Sequence, residues 1–245
     1  MQPDGFGYRA RIGLAYIASS VVMEPECYAM APEGVSVLTS RMELAEITVE
    51  ELADLGGTHV AGALEAVRLL ASARPTAIVF ACTAGSFVGG AGYDQQLVGL
   101  LQEAAPGVPI TTTTTASVRA LRAVNAERVA LLLPYPQPVA DRGVRYFPEA
   151  GFTVTSSTAL GCVTDHDIAA ITPEEVYRHA RELDSSDADA IFLSCTNLRT
   201  IAVLEELERD LGKPVVSAIQ ASFWDALRLS GVGDLVEGYG SLLRL

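Results

Sequence analysis

The sequence predicts an α/β protein made of two similar halves, each a parallel sheet flanked by helices, on three observations. Short β-rich apolar runs alternate with longer stretches whose apolar residues recur every three or four positions, as when helices join parallel strands. One passage occurs twice, as GVPITTTTTAS (107–117) and GKPVVSAIQAS (212–222), which share Gly, Pro, Ala and Ser at the same spacing 105 residues apart. Finally, 245 residues with 49% hydrophobic and 19% charged side chains suit a compact chain of one large domain or two small ones.

In chain order, RIGLAYI (11–17) and VSVLTSR (35–41) read as strands, and a helix-like stretch covers 48–73 behind Thr48 and acidic Glu50 and Glu51. TAIVFAC (76–82) is the next strand, followed by DQQLVGLLQEAA (94–105) as helix, VPITTT (108–113) as strand and ASVRALRAV (116–124) as helix. The second half repeats the pattern with strands at 128–134, 152–157, 189–195 and 214–219, and helices at 173–186 and 199–212. The last helix, ASFWDALRLS (221–230), is expected to return and pack on the first half. Thr111 to Thr115 read as strand plus helix-capping hydroxyls, the last of them edging the cleft.

Upstream of each repeated passage lies an apolar strand ending in a Cys-Thr pair, IVFACTAGS (78–86) and IFLSCTNLR (191–199). Ligands in parallel α/β sheets bind beyond the carboxyl ends of the strands, so Cys82 and Cys195 hold the reactive position in each half. Backbone N–H groups left free by the following turns attract anions and are expected to favour the thiolate. If the halves face one another, the two thiols confront each other across one cleft, as two acid/base groups on opposite faces of a planar carbon. Cys27 and Cys162 have no repeat partner and read as packing residues. Tyr135, in LLLPYPQP, is either a phenol that donates to an anion or a half-buried aromatic. TDHD (164–167) reads as a solvated loop, with no partner evident for His166.

Composition excludes several classes. A net charge of −13, with Lys213 the only lysine, repels nucleic acid and anionic membrane, so neither is an expected partner. No apolar run is long enough to span a bilayer and the first residues lack a signal pattern, which places the chain in the cytoplasm. The four cysteines form no C-x-x-C pair and the three histidines do not group with them, so neither structural zinc nor a disulfide framework is expected. P-loop, dinucleotide-binding and nucleophile-elbow patterns are missing, and no cofactor is implied.

At ACTAGS and SCTNLRT, and in RIGLAYIASSVVMEPE, PYPQPVADRGVRYFPEAGF and PVVSAIQASFWDALRLSG, the chain resembles the aspartate/glutamate racemase superfamily. Within it, the resemblance is closest to the maleate cis-trans isomerases and the arylmalonate decarboxylases. It implies two pseudo-symmetric, Rossmann-like halves with the active site in the cleft between them. The first half would comprise 1–112 plus 222–245, and the second 113–221. It makes Cys82 and Cys195 the catalytic thiols, and assigns Ser19, Ser20, Thr83, Ala84, Tyr135, Thr196 and Asn197 to substrate binding. The decarboxylases carry glycine at the position of Cys82, which argues against that branch. Maleate isomerases carry asparagine at the position of Ser20 and another near VTDHDIAA, where this chain has none, so the substrate can differ from maleate. The expectation is a cofactor-independent isomerase of a small dicarboxylate, maleate to fumarate, with one thiol as nucleophile and the other as acid/base, in a homodimer. Alternatives are a racemase of an amino or related acid, a decarboxylase, and a non-catalytic ligand-binding protein.

Overall fold

The computed structural model describes residues 5–44 and 46–245; residues 1–4 and 45, which fall in the expected first half, lie outside them. Each of the eight expected runs forms a strand: β1 (Ala10–Ile17), β2 (Val35–Met42), β3 (Ala77–Ala81), β4 (Ile110–Thr112), β5 (Arg128–Leu133), β6 (Thr153–Ala159), β7 (Ala190–Leu193) and β8 (Val215–Ser217). They form two parallel four-stranded sheets, ordered β2-β1-β3-β4 and β6-β5-β7-β8. The same order in both is the structural content of the repeat, and the chain is two pseudo-symmetric α/β halves. β3 and β7 are buried along their whole length, because helices cover both faces of a parallel sheet. Each Leu, Ile or Phe they bury contributes about 1.5–3 kcal/mol.

The helices are α1 (Met23–Met30), α2 (Val49–Ala53), α3 (Thr58–Ser72), α4 (Thr83–Phe87), α5 (Tyr93–Ala104), α6 (Thr113–Ala123), α7 (Gln137–Glu149), α8 (Asp165–Ala170), α9 (Pro173–Leu183), α10 (Leu204–Leu211) and α11 (Ala218–Leu229). The stretch read as one helix over 48–73 is two. Asp54 turns the chain between them by accepting the Gly56 N–H at 2.9 Å, a local bond that competes with the helical ladder. α10 starts five residues later than the pattern at 199–212 suggests, because the Thr200 N–H is held by Glu26 of α1 at 2.9 Å. α7 escapes a periodicity reading through its prolines. Pro136 and Pro138 sit at its start, where no N–H is required.

α6 and α11 leave equivalent strands and pack along each other, and α11 also lies over β1, β3 and β4. Asp225 of α11, almost fully buried, accepts from Thr111 Oγ1 at 2.7 Å and from Arg119 of α6 at 2.9 Å. The threonine run sits where it was expected to cap: Thr112 Oγ1 accepts the Thr115 N–H at 3.0 Å and opens α6. Its last hydroxyls turn away from the cleft. Thr114 Oγ1 bonds Ser86 Oγ (2.6 Å) and Thr83 O (3.2 Å), bracing α4 from behind, and Thr115 Oγ1 donates to Asp94 at 2.5 Å.

In a sheet of order 2-1-3-4 the chain leaves the two central strands in opposite directions, which opens a crevice at their carboxyl ends. Each half has one, and the two face each other.

Candidate active site

Three loops from each half meet at this junction. From the first come the turn after β1 with Ser20, the segment after β2 with Leu44 and Ile47, and the turn after β3 with Cys82, Thr83 and Ala84. From the second come their counterparts: Tyr135 after β5, Asp165 after β6, and Cys195 with Thr196 after β7. Leu52 of α2 covers the top. The enclosed volume is about 20 Å³, room for a single water.

The two cysteines are presented differently. Cys82 caps α4, and its Sγ accepts the Gly85 N–H at 3.3 Å. Gly85 is required there, since a Cβ would stand 2.7 Å from Nε2 of buried His59 and 2.9 Å from Cys82 Sγ. Cys195 has φ +92°, a region L-residues rarely adopt. No helix follows at once, and its Sγ accepts the Asn197 N–H at 3.3 Å. Such a conformation persists only where surrounding structure enforces it, and it collects at functional sites. Thr196 supplies part of that enforcement, its Oγ1 bonding Ala81 O of the opposite half at 3.1 Å.

The expected thiolates are not what this environment favours. Burial pushes the Cys82 thiol up to about 12, against the lowering by the Gly85 N–H, and Asp165 adds to the rise. Burial likewise raises Cys195, then Asp165, outweighing the Asn197 N–H and the Tyr135 hydroxyl. Two N–H···S bonds do not offset removal of the thiolate from water, so this environment favours the neutral form of both thiols. Tyr135 is raised well above its ordinary value by burial and by Cys195, so its hydroxyl, 3.1 Å from Ser194 Oγ, stays a neutral donor.

A labelling order follows. Cys27 is fully buried and strongly raised, whereas Cys162 is half-buried and the least enclosed of the four. Iodoacetamide near neutral pH is therefore expected to modify Cys162 first in the unliganded protein, with Cys82 and Cys195 following slowly. Mass spectrometry finding Cys82 or Cys195 alkylated first would show that one of them is a thiolate at rest.

Of the remaining expected residues, Ser20, Thr83, Ala84, Tyr135 and Thr196 line the cavity with the two thiols. Among the described residues the buried Thr83 Oγ1 has no hydrogen-bond partner. Ser19 stands just behind, its Oγ donating to Asp165 at 2.6 Å. The Asn197 side chain is a correction. Fully buried, its Oδ1 accepts the N–H groups of Val21 (2.9 Å) and Val22 (3.2 Å), and its Nδ2 donates to Asp165 O at 2.8 Å. Those bonds commit the amide to holding loops of opposite halves together, away from the cavity.

Asp165 is the second correction. Thr164 and Asp167 do form the cap of a short helix, as a solvated TDHD loop would, but Asp165 turns inward and lines the cavity. The resemblance marked this neighbourhood by the asparagine that other chains carry nearby. No local pattern separated an inward Asp165 from its exposed neighbours.

The family model for arylmalonate decarboxylase matches residues 12–243. A maleate isomerase from Nocardia farcinica is 33% identical over 96% of this chain and 95% of its own. The arylmalonate decarboxylase of Bordetella bronchiseptica is 38% identical over 65% of this chain and 68% of its own. In three dimensions, a cysteine-to-serine mutant of the N. farcinica maleate cis-trans isomerase, solved with a covalently bound succinylcysteine intermediate, superposes with a TM-score of 0.89. It is 31% identical, and the match covers 96% of this chain and 98% of that one. With residues 12–243 matched by the family model and a maleate isomerase 33% identical over 96% of the chain, the chain belongs to the family that holds arylmalonate decarboxylase and the maleate isomerases.

Proposed function

We propose that this protein is a cofactor-independent cis-trans isomerase of a small dicarboxylate, of the maleate-to-fumarate type. The observation that carries the reading is the pair of buried thiols, brought from equivalent turns of two halves into one small cavity beside neutral donors. Cys82 is the nucleophile and Cys195 the acid/base. One substrate carboxylate binds at the first-turn N–H groups of Thr83 and Ala84, which precede the helical ladder, with the unpartnered Thr83 hydroxyl and Tyr135 beside them.

Neutral thiols at rest suit a relay that creates no lasting charge. Cys82 Sγ bonds one alkene carbon, and the π pair moves onto the neighbouring carbon and its carboxylate. Cys195 protonates that carbon while taking up the proton that Cys82 releases. Two S–H protons become one C–H and one S–H, and a succinyl thioether stands on Cys82. After rotation about the new single bond, Cys195 returns a proton to sulfur as it removes one from carbon, the C–S bond breaks, and the trans alkene leaves. For a four-carbon diacid to enter, Ile47 and the following α2 with Leu52 have to swing outward. Their outer face already borders a hollow of about 550 Å³ with Pro136, Pro138 and Val163.

Purified protein incubated with maleate, followed by proton NMR, is expected to yield fumarate, with deuterium entering at the alkene carbon when the solvent is D₂O. Deuterium exchange into an amino or 2-substituted acid, with maleate untouched, would replace this reading by racemisation.

We further propose the division into 1–112 plus 222–245 and 113–221, supported by α11 lying over β1, β3 and β4. A cytoplasmic homodimer is proposed with it. Four unpaired cysteines support a reducing compartment, and no helix among the described residues is long and apolar enough to cross a membrane. Light scattering on the purified chain tests the dimer.

A further inference from the structure

A carboxylate faces the two thiols in a cavity whose lining includes no lysine, arginine or histidine. Both hydrogen bonds to the Asp165 carboxylate, from Ser19 Oγ (2.6 Å) and Ser20 Oγ (3.2 Å), go to Oδ2, which leaves Oδ1 open as an acceptor. Arg41, near the end of β2, reaches the turn that carries Ser19 and Ser20. Its guanidinium is spent on the backbone carbonyls of Ala18 (2.8 Å) and Ser20 (2.9 Å) and lies over the Tyr16 ring. Nothing cationic offsets Asp165 inside the site. The donors suited to a carboxylate, Thr83 Oγ1 and the N–H groups of Thr83 and Ala84, are grouped at the other cysteine turn.

We infer that the substrate has unlike ends: a carboxylate held at the Cys82 turn, and at the other end a carboxamide whose N–H₂ donates to Asp165. The inference rests on the isomerase reading above and narrows it. A second carboxylate placed against Asp165 meets a like charge among mostly buried neighbours, Ser20, Cys82, Thr83 and Cys195, where such repulsion is screened less than in open water. A carboxamide has the same planar shape and presents N–H donors to Oδ1. It also remains conjugated with the alkene, as thiol addition requires, which an ammonium on a saturated carbon does not. Asp165 is then a specificity residue that admits the monoamide of a cis-enedioic acid and rejects the diacid.

The test compares wild type with Asp165→Asn at pH 8, using maleate and its monoamide, maleamate. Isomerisation is followed by proton NMR, and binding of the saturated analogues succinate and succinamate by calorimetry, which needs no chemistry. Wild type is expected to favour maleamate over maleate at least tenfold in kcat/KM, and succinamate over succinate in binding. Asp165→Asn, which keeps shape and removes charge, is expected to shift both ratios toward the diacid by tenfold or more. Asp165→Ser serves as the second variant if Asn does not give folded protein. Equal preference in wild type and variant, or a wild type that prefers the diacid, overturns the specificity role while leaving isomerisation of maleate intact. Selective, Asp165-dependent binding of succinamate with no turnover of either alkene upholds the specificity role and sinks the isomerase reading instead.

Discussion

Replacing either Cys82 or Cys195 by alanine is expected to lower kcat by about 10³-fold or more, because each removes a group that forms or breaks a bond in the transition state. Stability should change little: both residues are buried, but each loses a single sulfur atom, about 1 kcal/mol and a few degrees in Tm. The two losses differ in kind. Without Cys82 no covalent species can form. With Cys195→Ser, a weak acid remains that can deliver a proton to carbon but removes it poorly, so a succinyl adduct should accumulate on Cys82 and appear in the intact mass. Cys195→Gly offers a separate check on the φ of +92°, since glycine holds that conformation without strain. It should be as inactive as Cys195→Ala and at least as stable. Turnover within tenfold of wild type in either alanine variant would end the two-thiol mechanism.

What could be read from the chain alone divides along a physical line. The eight strands were legible because six- and seven-residue apolar runs rich in Val, Ile, Leu and Phe have few other destinations, and the repeat supplied their equivalence. The same repeat singled out Cys82 and Cys195 from Cys27 and Cys162. α4 was illegible because five residues do not establish a helical period, and α7 because its prolines mimic a loop. The state of the thiols was misjudged for a different reason. Their N–H partners at Gly85 and Asn197 are local in sequence, whereas the burial that outweighs them comes from six loops converging from both halves. Asp165 was missed on the same grounds. Thr164, Asp165 and Asp167 make a plausible solvated cap on their own, and only Ser19 and Ser20, far away along the chain, turn one of those carboxylates into part of the site.

Asn197 shows how far a correct motif can mislead about a role, and it carries the second large effect. Asn197→Ala is expected to destabilise the protein by about 1–3 kcal/mol, because it strands the buried Val22 N–H, while the part-buried Val21 N–H and Asp165 carbonyl can turn to water. For a chain of this size that corresponds to a fall in Tm of roughly 2–12 °C. Activity should fall with it, through geometry. The amide is the direct tie between the loop that carries Ser20 and the backbone that carries Asp165, so its loss loosens the wall opposite the Cys82 turn while leaving both thiols in place. A residue bound to substrate would raise KM with Tm nearly unchanged. A brace lowers Tm first and costs kcat and KM together. Asn197→Asp divides the two roles further. Its oxygens can still accept from Val21 and Val22, but it has no N–H to give to the Asp165 carbonyl, so partial recovery of Tm relative to Asn197→Ala is expected. A variant with wild-type Tm and a purely KM defect would return Asn197 to the substrate.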